Sequence, residues 1–118
     1  CESLTGRGDV VVLDCLTLWG ADRLLRGDEE KSILAAADGL ADFLAERRFS
    51  LVIVSNEVGA GVHPPTEVGL RFRDALGGVN QRIAAAADRV SYMVAGLPMT
   101  IKDVPPPEDH RERPPEAP

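Results

Sequence analysis

Residues 9–16 read DVVVLDCL and residues 49–56 read FSLVIVSN, and these two apolar runs decide the fold. Both runs are continuously apolar rather than alternating, which is typical of strands that are covered on both faces of a parallel sheet. A third apolar run, RVSYMVAG, occupies residues 89–96. We therefore predict three strands and expect them to share one sheet.

The segments between these runs have a helical period. The apolar stripes consist of Ile33, Ala37, Leu40 and Leu44 in residues 29–48, and of Phe72, Leu76, Val79, Ile83 and Ala86 in residues 66–88. Asp28 is the predicted N-cap of the first of these helices. A shorter amphipathic segment, LTLWGADRLL, also predicts helical structure directly after the first strand.

Strands alternate with helices along the chain, which predicts an α/β fold with right-handed crossovers and a mainly parallel sheet flanked by helices. The segment MTIK, residues 99–102, is predicted as a short edge strand after a turn at residues 96–98. Gly77 and Gly78 interrupt the last helical pattern, and each costs about 1 kcal/mol relative to alanine in a helix. They indicate a kink, a close packing contact or two separate helices.

The end of the chain has a different composition. Residues 103–118 contain six of the nine prolines and almost no apolar side chains, so they predict a disordered or polyproline-like tail. The folded part is then one domain within residues 1–102. Because the first residue is Cys rather than Met, we expect a fragment, a processed chain or a trimmed one.

Charge and cysteine content limit the classes of partner. The net charge of −6 argues against a nucleic-acid backbone or an anionic membrane surface as partner. Cys1 and Cys15 are too few for a disulfide framework, which favours a reduced, cytoplasmic protein. The sequence shows no signal peptide and no apolar run of the roughly 18 residues that a membrane span requires.

Polar residues close the first two predicted strands. In open parallel sheets, ligands bind beyond the carboxyl ends of the strands, so Asp14, Asn56 and Glu57 should gather at one edge. A carboxylate at the position of Asp14 either holds Mg²⁺ beside nucleotide phosphates or accepts hydrogen bonds from a nucleobase. The alternatives are a turn cap for Asp14 and loop solvation for the Asn56–Glu57 pair.

The residues after the second strand are less specific. Gly59 and Gly61 permit a close backbone approach, but no GxxxxGK[ST] phosphate-loop motif occurs in the chain. Arg71 and Arg73 lie two positions apart and therefore on different faces of the predicted helix. One of them could reach a phosphate, and the alternative is a solvated helix face.

Two further polar residues have no decided role. His63 is expected to be a packing or surface residue. Asn80 stands in the middle of the predicted helix, where asparagine is a mediocre helix former. It indicates either a packing or interface hydrogen bond or a ligand contact.

Four segments together resemble one family, the bifunctional adenosylcobinamide kinase / adenosylcobinamide-phosphate guanylyltransferases of cobalamin biosynthesis. The segments are VVVLDCLTLW, VIVSNEVGAGVHP, RFRDALGGVNQRIAAAADRV and MVAGLPMTIK. They occur in the family's order, and the resemblance covers nearly all of residues 9–102.

The resemblance implies a P-loop, RecA-like α/β fold and a homotrimer. It also implies two linked reactions, in which GTP or ATP phosphorylates adenosylcobinamide and GMP is then transferred from GTP, through a guanylyl-histidine, to give adenosylcobinamide-GDP. Mg²⁺ would accompany the nucleotides. No nucleic-acid partner and no membrane span are expected.

On this resemblance the nucleotide-binding residues are Asp14, Thr17, Asn56 and Glu57. Arg71 and Arg73 are the candidates for phosphate or substrate contact, and Asp14 is the candidate Mg²⁺ ligand.

The family's phosphate loop and its nucleotide-accepting histidine lie upstream of these segments and are not among the 118 residues. No catalytic residue is therefore assigned. We expect the chain to be the carboxyl-terminal part of such an enzyme and inactive by itself. The alternative is an α/β module for interaction or oligomerisation, without catalysis.

Overall fold

The computed structural model describes residues 10–46 and 49–105. Along the chain the elements are β1 (Val10–Asp14), α1 (Leu16–Leu25), α2 (Glu30–Ala45), β2 (Ser50–Val54), α3 (Glu67–Ala86), β3 (Arg89–Val94) and β4 (Leu97–Asp103). The chain divides between Ala87 and Asp88 into two compact units.

The first unit contains a parallel strand pair and three helices. β1 and β2 pair in parallel, with Val10 opposite Ser50 and Asp14 opposite Val54. The helices occupy the segments in which the apolar period predicted them. An α/β fold with a small parallel sheet is therefore confirmed.

The helices of this unit supply its core. The buried side chains are Leu16, Ile33, Ala37, Ala75, Leu76, Val79 and Ile83. From the strands, Leu13 and Ile53 pack against them. Since a fully buried Leu or Ile contributes about 1.5–3 kcal/mol, this helical cluster is the main stabilising element of the unit.

The opposite face of the strand pair carries exposed valines. Burial alternates along β1 and β2, and Val12 and Val52 remain 60% and 50% exposed. The prediction that both faces are covered is thus wrong for the described residues of this unit. The apolar run places hydrophobic side chains on both faces of the strands. The core residues contact only the face that carries Leu13 and Ile53.

The second unit is a hairpin. β3 and β4 pair antiparallel, with Val94 opposite Leu97. Ala95 and Gly96 form the turn and both have positive φ, 51° and 76°, as a two-residue type I′ turn requires. So short a connection imposes antiparallel pairing of β3 with β4. Among the described residues β3 pairs with no other strand, so the predicted third parallel strand is not found.

The final strand is longer than predicted. It runs from Leu97 to Asp103 rather than over residues 99–102, and Arg89 donates to the Asp103 carboxylate at 3.2 and 3.3 Å. Asp103 thus lies inside a strand although the tail was predicted to begin there. The rest of that tail, from residue 106 onward, lies outside the described residues.

The start of α2 also differs from its prediction. Glu29, not Asp28, is the N-cap residue, and it makes no side-chain capping bond. The Asp28 carboxylate instead accepts a hydrogen bond from Arg23 Nη1 at 2.9 Å. The neighbouring arginine therefore competes successfully for the predicted capping group.

The glycine pair Gly77–Gly78 marks a close packing contact. α3 is continuous through both residues, which excludes two separate helices. A Cβ at Gly78 would lie 2.7 Å from Leu34 Cδ2 of α2, whereas a Cβ at Gly77 would have no neighbour within 4 Å. Of the two glycines, only Gly78 thus lies in close contact with α2.

We predict different effects of alanine at these two positions. Gly77→Ala should raise the free energy of unfolding by about 1 kcal/mol, because alanine is the better helix former. Gly78→Ala should stabilise the protein less than Gly77→Ala does, because its methyl group has to displace the half-buried Leu34 side chain. Urea denaturation of both variants measures the difference, and equal stabilities would contradict the contact.

Candidate functional site

The carboxyl ends of β1 and β2 meet at one edge of the first unit. Asp14 is the last residue of β1 and lies opposite Val54, the last residue of β2. Asn56 and Glu57 follow two and three residues after Val54, and all three polar side chains are exposed. The structure thus brings Asp14 to the same sheet edge as the start of the Asn56–Glu57 loop.

Helix α1 begins two residues after Asp14. Its N-cap residue Cys15 makes no side-chain capping bond, and its first turn contains no acidic residue. Leu16 is only 1% exposed and anchors this helix end to the core. Backbone N–H groups at such an end, together with the helix dipole, favour an anion.

Thr17 carries an unusual hydroxyl in this first turn. Its Oγ1 atom is buried and has no hydrogen-bond partner in the described part of the chain. A buried polar atom without a partner costs about 1–3 kcal/mol. Thr17 therefore presents unsatisfied hydrogen-bonding capacity three residues after the Asp14 carboxylate.

The loop after β2 is held by side chains. Glu57 Oε1 accepts a hydrogen bond from the Gly59 backbone N–H at 2.7 Å. A Cβ at Gly59 would lie 2.9 Å from that same oxygen, so a larger residue at position 59 would displace the Glu57 carboxylate. One carboxylate oxygen of Glu57 is thus engaged in shaping the loop.

Asn80 of α3 reaches the same loop. Its Oδ1 accepts a hydrogen bond from Ser55 Oγ at 2.6 Å, and its Nδ2 donates to the Asn56 carbonyl oxygen at 3.0 Å. Of the roles left open by the sequence, the structure shows an intramolecular packing contact. Ser55 is not among the predicted site residues, because nothing nearby in the chain reveals a partner 25 residues away.

The two candidate arginines differ in their surroundings. Arg73 donates to Asp74 Oδ1 at 2.9 and 2.8 Å and also approaches His63 Nδ1 at 3.2 Å. Because arginine cannot accept a hydrogen bond, His63 Nδ1 is the acceptor in that contact. Arg71 is exposed and makes no hydrogen bond or ion pair with the described residues.

The helix that carries these arginines has a side-chain cap. Thr66 Oγ1 accepts a hydrogen bond from the Gly69 backbone N–H at 3.1 Å. Such a cap contributes about 1 kcal/mol to a helix. It fixes the start of α3 just after Pro64 and Pro65, and with it the position of Arg73.

Residues 10–46 and 49–105 contain no group of three or more His, Cys, Asp or Glu side chains placed to hold a metal ion. In the same ranges no helix is both long and apolar enough to cross a membrane.

A comparison with protein families matches residues 1–101 to the family described as cobinamide kinase / cobinamide phosphate guanyltransferase. The chain is 39% identical over 98 residues to the bifunctional adenosylcobalamin biosynthesis protein CobP of Pseudomonas aeruginosa, covering 83% of this chain and 56% of that protein. It is 36% identical over 106 residues to the corresponding CobU protein of Salmonella typhimurium, covering 80% and 59%. The CobU protein of Escherichia coli is 34% identical over 106 residues, which cover 80% of this chain and 59% of that protein. The chain thus spans less than two thirds of the length of these curated relatives.

The buried hydroxyl of Thr17 predicts an uncommon response to mutation. Thr17→Val keeps the side-chain shape and removes the unpartnered oxygen, so the free energy of unfolding should rise by about 1 kcal/mol. Thr17→Ser, the control, keeps the hydroxyl and loses a buried methyl group, and should be less stable than the wild type. Both values come from urea denaturation without nucleotide. A valine variant less stable than the wild type would show that the hydroxyl has a partner.

Proposed function

The chain belongs to the cobinamide kinase / cobinamide phosphate guanyltransferase family, and we propose that it forms part of the nucleotide site of a bifunctional transferase in cobalamin biosynthesis. In the first reaction a hydroxyl of adenosylcobinamide takes a phosphoryl group from GTP or ATP. In the second, the new phosphate takes GMP from GTP, pyrophosphate leaves, and adenosylcobinamide-GDP forms. We further propose a P-loop, RecA-type fold for the complete domain.

The main support for this proposal is the position of Asp14 and Thr17. They lie at the sheet edge where the loop with Asn56 and Glu57 also starts. Guanine presents two adjacent N–H donors to a carboxylate, whereas adenine presents an acceptor at the corresponding ring position. A free carboxylate is an acceptor only. Asp14 would therefore select guanine over adenine, and the Thr17 hydroxyl would gain the partner that it lacks.

Asp14 also fits a second role, as a ligand of Mg²⁺. Magnesium in nucleotide enzymes is held by one or two carboxylates, with phosphate oxygens and water completing its coordination. The Asp14 carboxylate at this edge matches that donor set, and the bound ion would neutralise phosphate charge. The base-binding and metal-binding roles predict different nucleotide preferences.

The phosphate contact is best assigned to Arg71. The guanidinium of Arg73 already bonds to Asp74 and His63, so using it for a phosphate would cost those bonds. Arg71 is exposed, and within the described ranges its donors are free. We propose that Arg71 contacts a phosphate or the substrate and that Arg73 holds the loop through His63.

A second candidate function is self-association, with or without catalysis. Val12 and Val52 are exposed on one sheet face, and apolar faces of this kind are common at protein interfaces. We propose that the protein assembles as a homo-oligomer, with a trimer as the state that the family resemblance implies.

Nucleotide titration of an Asp14 variant tests the proposed function. Asp14→Asn should weaken GTP binding about 10- to 100-fold, because a charged hydrogen-bond acceptor contributes about 1.5–3 kcal/mol. If Asp14 reads the base, ATP affinity should not change, whether or not Mg²⁺ is present. If it holds the metal, both nucleotides should weaken, and only in the presence of Mg²⁺.

Asp22→Asn is the matched control, since Asp22 is an exposed acid in α1 that pairs with Arg26 in the same helix. Calorimetry gives the dissociation constants. Unchanged GTP affinity in Asp14→Asn would remove Asp14 from the site. An absence of nucleotide binding in the wild type, together with self-association in sedimentation, would favour the second candidate function.

A further inference from the structure

Asn80 connects the core helix α3 to the loop that carries Asn56 and Glu57. Its side-chain amide is used at both ends, with Oδ1 2.6 Å from Ser55 Oγ and Nδ2 3.0 Å from the Asn56 carbonyl oxygen. One side chain therefore binds two successive residues of the loop. The first contact is to a side chain and the second is to the backbone.

The chemistry of the partners fixes the orientation of this amide. A backbone carbonyl only accepts hydrogen bonds, so the Asn80 NH₂ group must face Asn56. The Ser55 hydroxyl can donate as well as accept, and it donates to Oδ1. A flipped amide would set two oxygens against each other at Asn56 and lose that bond. Asn80 thus selects one direction for the Asn56–Glu57 peptide.

Other restraints on this loop are few. From Ser55 to Pro65, the described residues make no backbone–backbone hydrogen bond outside the helices and strands. Side chains hold the segment instead, through Asn80 at its start, Glu57 with Gly59 in the middle, and Arg73 with His63 near its end. Of these three contacts, only the one from Asn80 reaches the peptide that precedes Glu57.

Asn80 is itself held firmly. It follows Val79, which is 0% exposed, and the buried side chains of Leu76 and Ile83 lie on the same helix within one turn. Close-packed cores deform little. The Asn80 amide therefore fixes the residues after β2 relative to the core. The loop is thereby oriented relative to α3 and not only relative to β2.

We propose that Asn80 is a positioning residue for the nucleotide site. It acts through the Asn56–Glu57 peptide and aims the Asn56 and Glu57 side chains at the edge where Asp14 lies. This inference rests on the proposed function. Asn80 need not touch nucleotide, because both polar atoms of its side chain already have protein partners.

A double-mutant cycle between Asn80 and Glu57 tests this role, with GTP as the probe. Asn80→Ala and Glu57→Gln should each weaken GTP binding about tenfold, and the double variant should lose clearly less than a hundredfold, because Asn80 acts in part through Glu57. Gln81→Ala is the matched control, since Gln81 is the next residue of α3 and is exposed. Its dissociation constant should equal that of the wild type.

Hydrogen exchange gives a readout that does not depend on nucleotide. The Gly59 amide, which donates to Glu57, should exchange faster in Asn80→Ala and remain unchanged in Gln81→Ala. Ser55→Ala removes only the exposed hydroxyl partner and should weaken GTP binding about threefold. It serves as the second variant if Asn80→Ala does not fold.

The outcomes separate this inference from the proposed function. If wild type binds GTP and Asn80→Ala or Ser55→Ala binds equally well, the positioning role is overturned while the nucleotide site stands. Additive losses in the cycle, to about a hundredfold in the double variant, would also overturn it. If wild type does not bind GTP, the proposed function fails and the inference fails with it.

Discussion

The parallel register of β1 with β2, which sets Asp14 opposite Val54, is the constraint on which the candidate site depends. Parallel strands of equal length end at the same edge, so the segments that leave them start side by side. One segment becomes helix α1 with Thr17 in its first turn, and the other becomes the loop with Asn56 and Glu57. A shift of this register by one residue would turn Asp14 to the opposite sheet face. Asp14 would then no longer lie beside the Asn56–Glu57 loop.

The stability of the first unit and the geometry of its edge come from different interactions. Apolar burial among Leu16, Ile33, Leu76 and Val79 holds the helices together. The edge itself is exposed, and no polar or charged residue is fully buried in the described part of the chain. Exposed ion pairs such as Arg73–Asp74 contribute at most about 1 kcal/mol. The start of the loop is oriented by the neutral hydrogen bonds of Asn80, which salt screens little.

Local patterns in the sequence predicted the strands and helices of the first unit because those patterns are short-range. The apolar period of α3 and the apolar runs of β1 and β2 each lie within one segment. Strand partnership is different, and the pairing of β3 with β4 follows from the two-residue turn at Ala95–Gly96 rather than from the strand's own composition. Asp28 was predicted as a cap and pairs with Arg23 instead, since competition between partners is not visible in a spacing rule. The link from Asn80 to Ser55 and Asn56 joins positions 24 and 25 residues apart, which only the folded chain brings together.

The most direct test of the account is a GTP titration of ¹⁵N-labelled protein followed by NMR. The central claim is that Asp14, Thr17 and the Asn56–Glu57 loop form one nucleotide site whose geometry Asn80 sets. It predicts that the backbone amides of residues 14–17 and 55–59 and the side-chain NH₂ of Asn80 shift together, with one dissociation constant. Shifts confined to the β3–β4 hairpin, or two groups that titrate with different constants, would contradict it.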